Sequence, residues 1–241
     1  MTELLFKQNL IQAIFLRRVN RFILECELSS GEIVEVHLAD PGRLKEILLP
    51  NVEIWLEKAT NPNRKTKWTA VMCRVPGEEG YVSLNTLYPN QLVMKAFQMN
   101  ALSEFDQWVY ERAEFKVGAS RFDFLLREKN GTRKMLVEVK SVTMVEDGVA
   151  LFPDAVTARG TRHLSELQNL QKENVYETSV LFIVQRNDAR KILPASHIDP
   201  QFSKAMKDAA HEGVSFYGRS CKINPNGITL RKAIPVYPLT H

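Results

Sequence analysis

The pair Asn130-Gly131 constrains this chain more than any other two residues. It is the favoured centre of a two-residue type I′ turn. On either side lie apolar runs that read as strands, Arg121–Arg127 and Lys134–Thr143. A hairpin centred there sets Asp123 directly opposite Glu138, and any loop symmetric about the same centre keeps those partners. Side chains alternate along a strand. Phe122, Phe124 and Leu126 should therefore share one face, with Asp123 and Leu125 on the other. In the second strand Val137 and Val139 share a face, and Glu138 and Lys140 point the opposite way.

Two carboxylates facing each other across a strand pair repel by roughly 0.2–1 kcal/mol even in water, and burial raises the cost. Either a cation sits between them or one carboxyl is protonated. Lys140 supplies one positive charge on the Glu138 face. A divalent ion, Mg²⁺ or Mn²⁺, would supply the rest, because hard cations take carboxylate oxygens together with water and phosphate. Such an ion lowers the pKa of a water it holds and stabilises charge on a scissile phosphate. The plainer reading is a solvated sheet face with Lys140 as an ordinary ion-pair partner. The apolar flanks favour the site.

Residues 12–84 read as short strands without intervening helices. They include Arg21–Leu28, Glu32–Leu38, "VEIWLEKA", "WTAVMCRV" and "YVSLN", with a hairpin signal at Ser29-Ser30-Gly31. That spacing suggests a small barrel or sandwich. "DPGRLKEIL" reads as a short turn interrupting the strands, with Pro41 after Asp40 as at a helix start. From Thr86 the period becomes helical, over "TLYPNQLVMKAFQMNAL" and into "SEFDQWVYERA". A strand at Glu114–Gly118 precedes the hairpin. A helix follows from Ala155 with Asp154 as N-cap, its apolar stripe running through Val156, Gly160, Leu164 and Leu167. "SVLFIVQR" has the pattern of a strand buried on both faces, and its closing Gln185 and Arg186 either reach a site or re-emerge into solvent. The helix "FSKAMKDAAHEG" and the strand "VSFYGRSCKI" complete a mixed-sheet α/β domain.

The 241 residues are 44% hydrophobic, enough for a sizeable core. No apolar run reaches the ~18 residues of a membrane span, so no membrane partner is expected. Three scattered cysteines, Cys26, Cys73 and Cys221, fit reduced thiols packed in the core of a cytoplasmic protein. The net charge of +4 lies entirely beyond Leu87. It permits a polyanionic partner without demanding one.

An acid, a spacer and then Glu-x-Lys on the next strand resembles the PD-(D/E)xK nuclease signature, although Phe122 stands where that signature has Pro. The wider text is more specific. "HLADPGRLKEIL", "GASRFDFLL", "LVEVKSVT", "LFPDAVTARGTRHLSEL" and "FIVQR" together resemble the sugar fermentation stimulation protein A family, in order and over almost the whole chain. The resemblance implies an OB-like β-barrel over 1–84 and a PD-(D/E)xK nuclease-like α/β domain over 85–241. It also implies DNA binding, to single or double strands, and leaves a homodimer open. Carried over, Asp123 and Glu138 become metal ligands, and Lys140 positions the attacking water or stabilises the phosphate. Glu114 is the candidate extra acid. Two functions follow: a metal-dependent DNA nuclease, or a non-enzymatic DNA-binding regulator with a vestigial site.

Phosphate contacts are expected from Arg17, Arg18, Arg21, Arg43, Lys45 and the "NRKTK" loop of the first domain. In the second they are expected from Thr157, Arg159 and Arg162 at the helix start, where Arg162 and Glu166 also suit a surface pair. His163 reads as incidental. Trp55 and Trp68 are candidates for stacking, Trp55 more simply as core.

Overall fold

The computed structural model describes residues 2–6 and 9–239. The first unit is built from β2 (Ile11–Asn20), β3 (Ile23–Leu28), β4 (Ile33–His37), β5 (Glu53–Lys58), β6 (Trp68–Arg74) and β7 (Tyr81–Ser83). β1 (Glu3–Leu5) precedes them and belongs elsewhere. The strand order is β4-β3-β2-β5-β6, and a parallel pairing of β4 with β6 at Val36↔Trp68 and His37↔Thr69 closes the ring. This is a closed five-stranded OB barrel with β7 added to β6. Register shifts in β2 and β5 supply the local twist that closure needs. Phe15, Leu24, Cys26, Val36, Ile54, Leu56 and Ala70 fill the interior.

β2 and β3 turn over at Arg21-Phe22, which carries no glycine. The Asn20 side chain makes the turn instead, its Oδ1 accepting from Phe22 N at 2.9 Å. "DPGRLKEIL" forms turns, as its sequence suggests.

The second unit holds α1 (Leu87–Gln98), β8 (Trp108–Val117), β9 (Ser120–Glu128) and β10 (Lys134–Val142). It continues with β11 (Val145–Glu146), β12 (Val149–Phe152), α2 (Ala158–Lys172), β13 (Glu177–Val184) and β14 (Lys191–Pro194). It ends with α3 (Pro200–His211), β15 (Ser215–Asn224) and β16 (Gly227–Ala233). Its main sheet runs β1-β16-β15-β13-β10-β9-β8, parallel only at β10–β13 and β13–β15. A small sheet, β11-β12-β14, lies outside it. The expected barrel over 1–84 therefore cedes β1 to the other unit, where it pairs with β16. The stretch "SEFDQWVYERA", expected to be helical, is one 3₁₀ turn at Ser103–Phe105 followed by β8. Pairing with β9 along its length overrides a weak helical period.

β13 is buried on both faces as its apolar run requires. On one face α1 and the barrel residues Trp55 and Met72 join Phe124, Leu126, Val137, Val139 and Leu181 in a single core. On the other, α2, α3 and the small sheet cover Phe122, Leu125, Leu136, Val180 and Phe182. The carboxyl end of β10 thus lies between two packed layers.

Candidate functional site

The β9–β10 loop is four residues, Lys129–Thr132, rather than a two-residue turn, with Glu128 N donating to Arg133 O at 2.9 Å. Neither Asn130 nor Gly131 takes the positive φ that a type I′ turn requires. A side chain at Gly131 would run into the Glu128 carboxylate. The loop stays centred where the sequence placed it, so the strands keep the expected offset, from Lys134↔Arg127 to Val137↔Phe124.

The ladder stops one step before Asp123 would meet Glu138. There the Asp123 side chain replaces a backbone acceptor: Val139 N donates to its Oδ2 at 2.7 Å, and Asn90 Nδ2 of α1 donates to its Oδ1 at 2.6 Å. The alternation expected for β9 fails at this point. Phe124 and Leu126 lie in the α1-side core, whereas Phe122 lies with Leu125 in the α2-side core. The cause is local. Glu114, opposite Asp123 in β8, drops out of the ladder with φ of 51°, and the strand turns over as it passes. Asp123 sits at that twist, bonded into the gap between β9 and β10.

Glu138 is 5% exposed and points to the α2 side. Lys140 Nζ donates to its Oε1 at 2.7 Å, and His163 Nδ1 lies 2.6 Å from the same oxygen. An ionised carboxylate only accepts, so Nδ1 carries the proton. The other oxygen, Oε2, is buried and has no partner. Burial pushes the Glu138 carboxyl up, but the Lys140 and His163 charges and hydrogen bonds outweigh it and hold the group below its ordinary value. Asp123 goes the other way. Burial first, then the Glu138 charge, push it up to about 6, against the pull of Val139 N, Lys140 and Asn90. The two acids are thus within electrostatic reach of each other and of Lys140.

His163 was expected to be incidental. It is instead 3% exposed and packed edge-on to Phe122. It stands three residues after Gly160 and four before Leu167, on the inward stripe of α2. Thr157, not Asp154, is the N-cap, its side chain accepting from Gly160 N at 3.1 Å. The buried stripe is then Gly160, His163, Leu164 and Leu167, and Val156 lies outside the helix, exposed. Gly160 is small because a Cβ would press on Thr157 and on Phe202 of α3.

The remaining candidates do not converge on the acids. Glu114 points into solvent and pairs with Arg121 at 3.2 Å. Among the described residues no group of three His, Cys, Asp or Glu side chains is placed to hold a metal. Arg17 is bound through two nitrogens to Glu25. Arg18 staples its loop, donating at 2.7 Å to the carbonyls of Gly42, Arg43 and Arg21. Arg21 reaches Pro41 O. Arg43 and Lys45 are exposed, and the Arg43 amide donates to Asp154. Thr157 is occupied as a cap, Arg159 is exposed, and Arg162 lies 3.9 Å from Glu166. Trp55 is core. Gln185 and Arg186 are both buried, and Gln185 Nε2 donates to Ser141 Oγ beside Lys140.

An OB barrel followed by a mixed-sheet α/β unit, with an acid pair and a lysine where the central strands part, defines a two-unit class of protein. Models of known families match both units: "SfsA N-terminal OB domain" over residues 16–84 and "Sugar fermentation stimulation protein RE domain" over 87–227. The chain belongs to the sugar fermentation stimulation protein family. It is 44% identical over 223 residues to the sugar fermentation stimulation protein homolog of Shouchella clausii, covering 92% of this chain and 95% of that one. It is 43% identical to the homolog of Moorella thermoacetica, covering 92% and 94%. Among solved structures, Pyrococcus furiosus SfsA in complex with Ca²⁺ superposes with a TM-score of 0.87 at 25% identity, over 98% of this chain and 99% of that one.

Proposed function

We propose that this chain binds DNA and hydrolyses phosphodiester bonds at the Glu138 site, with a divalent ion, Mg²⁺ or Mn²⁺, held by Glu138 and Asp123. The observation that carries this reading is the buried, unpartnered Glu138 Oε2. Leaving such an acceptor empty costs about 1–3 kcal/mol, and a hard cation removes that cost. The donor set suits the ion. Glu138 offers a free oxygen, and each Asp123 oxygen keeps a spare lone pair. Magnesium needs only one or two carboxylates, completed by water and phosphate oxygens, so a third acid is not required. The same repulsion that raises Asp123 is relieved by positive charge between the pair. The complex of the Pyrococcus furiosus relative with Ca²⁺, another oxygen-seeking ion, supports the assignment. When bound, the ion supplies Lewis acidity to a phosphoryl oxygen.

The chain's own residues do the positioning. Lys140 and His163 fix the Glu138 carboxylate through Oε1 and leave Oε2 as the oxygen that would hold the ion. Asn90 and Val139 N aim Asp123. Lys140 has three N–H donors and spends one on Glu138, so two remain for a non-bridging phosphate oxygen. The basic surplus of the second unit permits DNA as the polyanion, and the barrel type supports it.

Calorimetric titration with Ca²⁺, then incubation of plasmid, single-stranded and branched DNA with Mg²⁺ or Mn²⁺, tests the reading. Wild type is expected to bind the ion and cut at least one substrate. Glu138→Gln should lose ion binding at least tenfold, and Lys140→Ala should lose cutting. Ion binding without cleavage of any substrate would make the protein a DNA-binding regulator instead. No ion binding at all would remove the site.

A further inference from the structure

A groove of about 720 Å³ opens beside β15 and β16, away from the acid pair. Its lining includes Asn187, Arg219, Ser220, Lys222, Arg231 and Lys232, and no acidic residue. Arg219 is neutralised from behind. Its guanidinium forms a bidentate ion pair with Glu104, nearly buried on both sides. The same guanidinium donates to Arg231 O at 3.1 Å, which fixes the backbone carrying Arg231 and Lys232. Lys222, Arg231 and Lys232 are exposed, and none has an ion-pair partner among the described residues. The groove is thus a rigid wall bearing three uncompensated positive charges.

Its position relates it to the acid site. In the parallel register Lys140 aligns with Phe182, and Phe182 with Gly218, the residue before Arg219. Arg219 and Lys222 of β15 therefore lie two strands over from Lys140, on the order of 10 Å laterally at strand spacing, and Arg231 and Lys232 of β16 lie one strand further. A nucleic-acid strand rises about 3.4 Å per nucleotide, so a few nucleotides span the gap.

We propose that this groove binds the phosphodiester backbone of a nucleic acid, several nucleotides along the strand from the phosphate at Glu138 and Lys140. The proposal rests on the nucleic-acid reading above. Lys222, Arg231 and Lys232 contact phosphates, and the Arg219–Glu104 pair holds their frame without adding charge. Sequence-independent grip away from the reacting bond sets the register of the strand.

The test is fluorescence anisotropy of a labelled DNA oligonucleotide across a salt series, without divalent ions. Each phosphate contact contributes close to one unit to the slope of log affinity against log salt. The variant Lys222→Ala/Arg231→Ala/Lys232→Ala should lower that slope by about two to three units and weaken binding at least tenfold. Its thermal unfolding should overlay wild type, because all three side chains are exposed. A control of equal charge on α2 and α3, Lys172→Ala/Lys204→Ala/Lys207→Ala, should keep the wild-type slope. If both triple variants behave alike, the effect is net charge and the groove assignment falls. If the groove variant matches wild type, the assignment falls while the acid-site reading stands. If wild type binds no nucleic acid, the wider reading falls with it.

Discussion

Glu138 is held through one oxygen by two donors, and they are not equivalent. Lys140 has further donors for a phosphate, whereas the buried His163, packed against Phe122, serves Glu138 through Nδ1. His163→Ala should therefore free the carboxylate to turn, and Ca²⁺ affinity measured by calorimetry should fall about 10–100-fold, the usual effect of losing a group that orients a ligand. His163→Asn, whose amide nitrogen can occupy the place of Nδ1, should recover most of it. An unchanged affinity in His163→Ala would remove the positioning role. The offset that brings Asp123 toward Glu138 was legible in the sequence because a loop symmetric about Asn130-Gly131 sets it. His163 was missed because its polarity set it among the flank residues, although it stands three residues after Gly160 and four before Leu167, on the buried stripe. Asn90 had no signal, since nothing local ties a polar residue in α1 to a carboxylate 33 positions on.

At the scale of elements, local rules failed where two strands distort together. The pairing offset of β9 and β10 follows from the loop centre, but the face of Phe122 depends on the twist at Asp123 and Glu114, which no alternation pattern in either strand encodes. A second such place is the turn at Asp40–Arg43, pressed against the segment before α2. Asp40 is 5% exposed, and a Cβ on Gly42 would fall within 3 Å of both the Asp154 and Asp40 carboxylates. Burial first, aided by Asp154 and Glu46, pushes the Asp40 carboxyl up to about 6, against Gly42 N and Arg18, which pull it down. The folded state therefore retains a proton that the unfolded chain releases near pH ~4. The stability this group contributes is present below that pH and is lost as pH rises through the folded value. Asparagine mimics the protonated form. Asp40→Asn should accordingly stabilise the protein at pH ~7.5 by on the order of 2 kcal/mol, with the gain shrinking toward pH ~4.5. Urea unfolding at several pH values measures it, and a gain independent of pH would show that the proton is not the cause.

The change of sequence period near Thr86 marked the passage from barrel to mixed sheet, but it did not mark a packing boundary. Trp55 and Met72 of the barrel share a core with Leu92, Phe97 and Phe124 of the second unit. Strand β1, too short for any periodic signal, edges the second sheet from the amino-terminal side of the barrel. Backbone and side-chain bonds also cross, from Ser83 N to Gln185 O at 3.3 Å and from Arg43 N to Asp154 Oδ2 at 3.0 Å. Units joined by a common apolar core lose it together, so the protein should unfold in one calorimetric transition. Trp55 is the sharpest probe, because its ring meets Tyr81 edge-on at 5.0 Å and faces the α1 side rather than the barrel interior. Trp55→Ala should cost about 3–5 kcal/mol and lower the midpoint of both units by the same amount. Far-ultraviolet circular dichroism would follow the whole chain, and, with Trp68→Phe added, the fluorescence of Trp108 on β8 the second unit. Two separated transitions, or a Trp55→Ala variant that melts the barrel while the Trp108 signal stays native, would show that the shared core does not couple them.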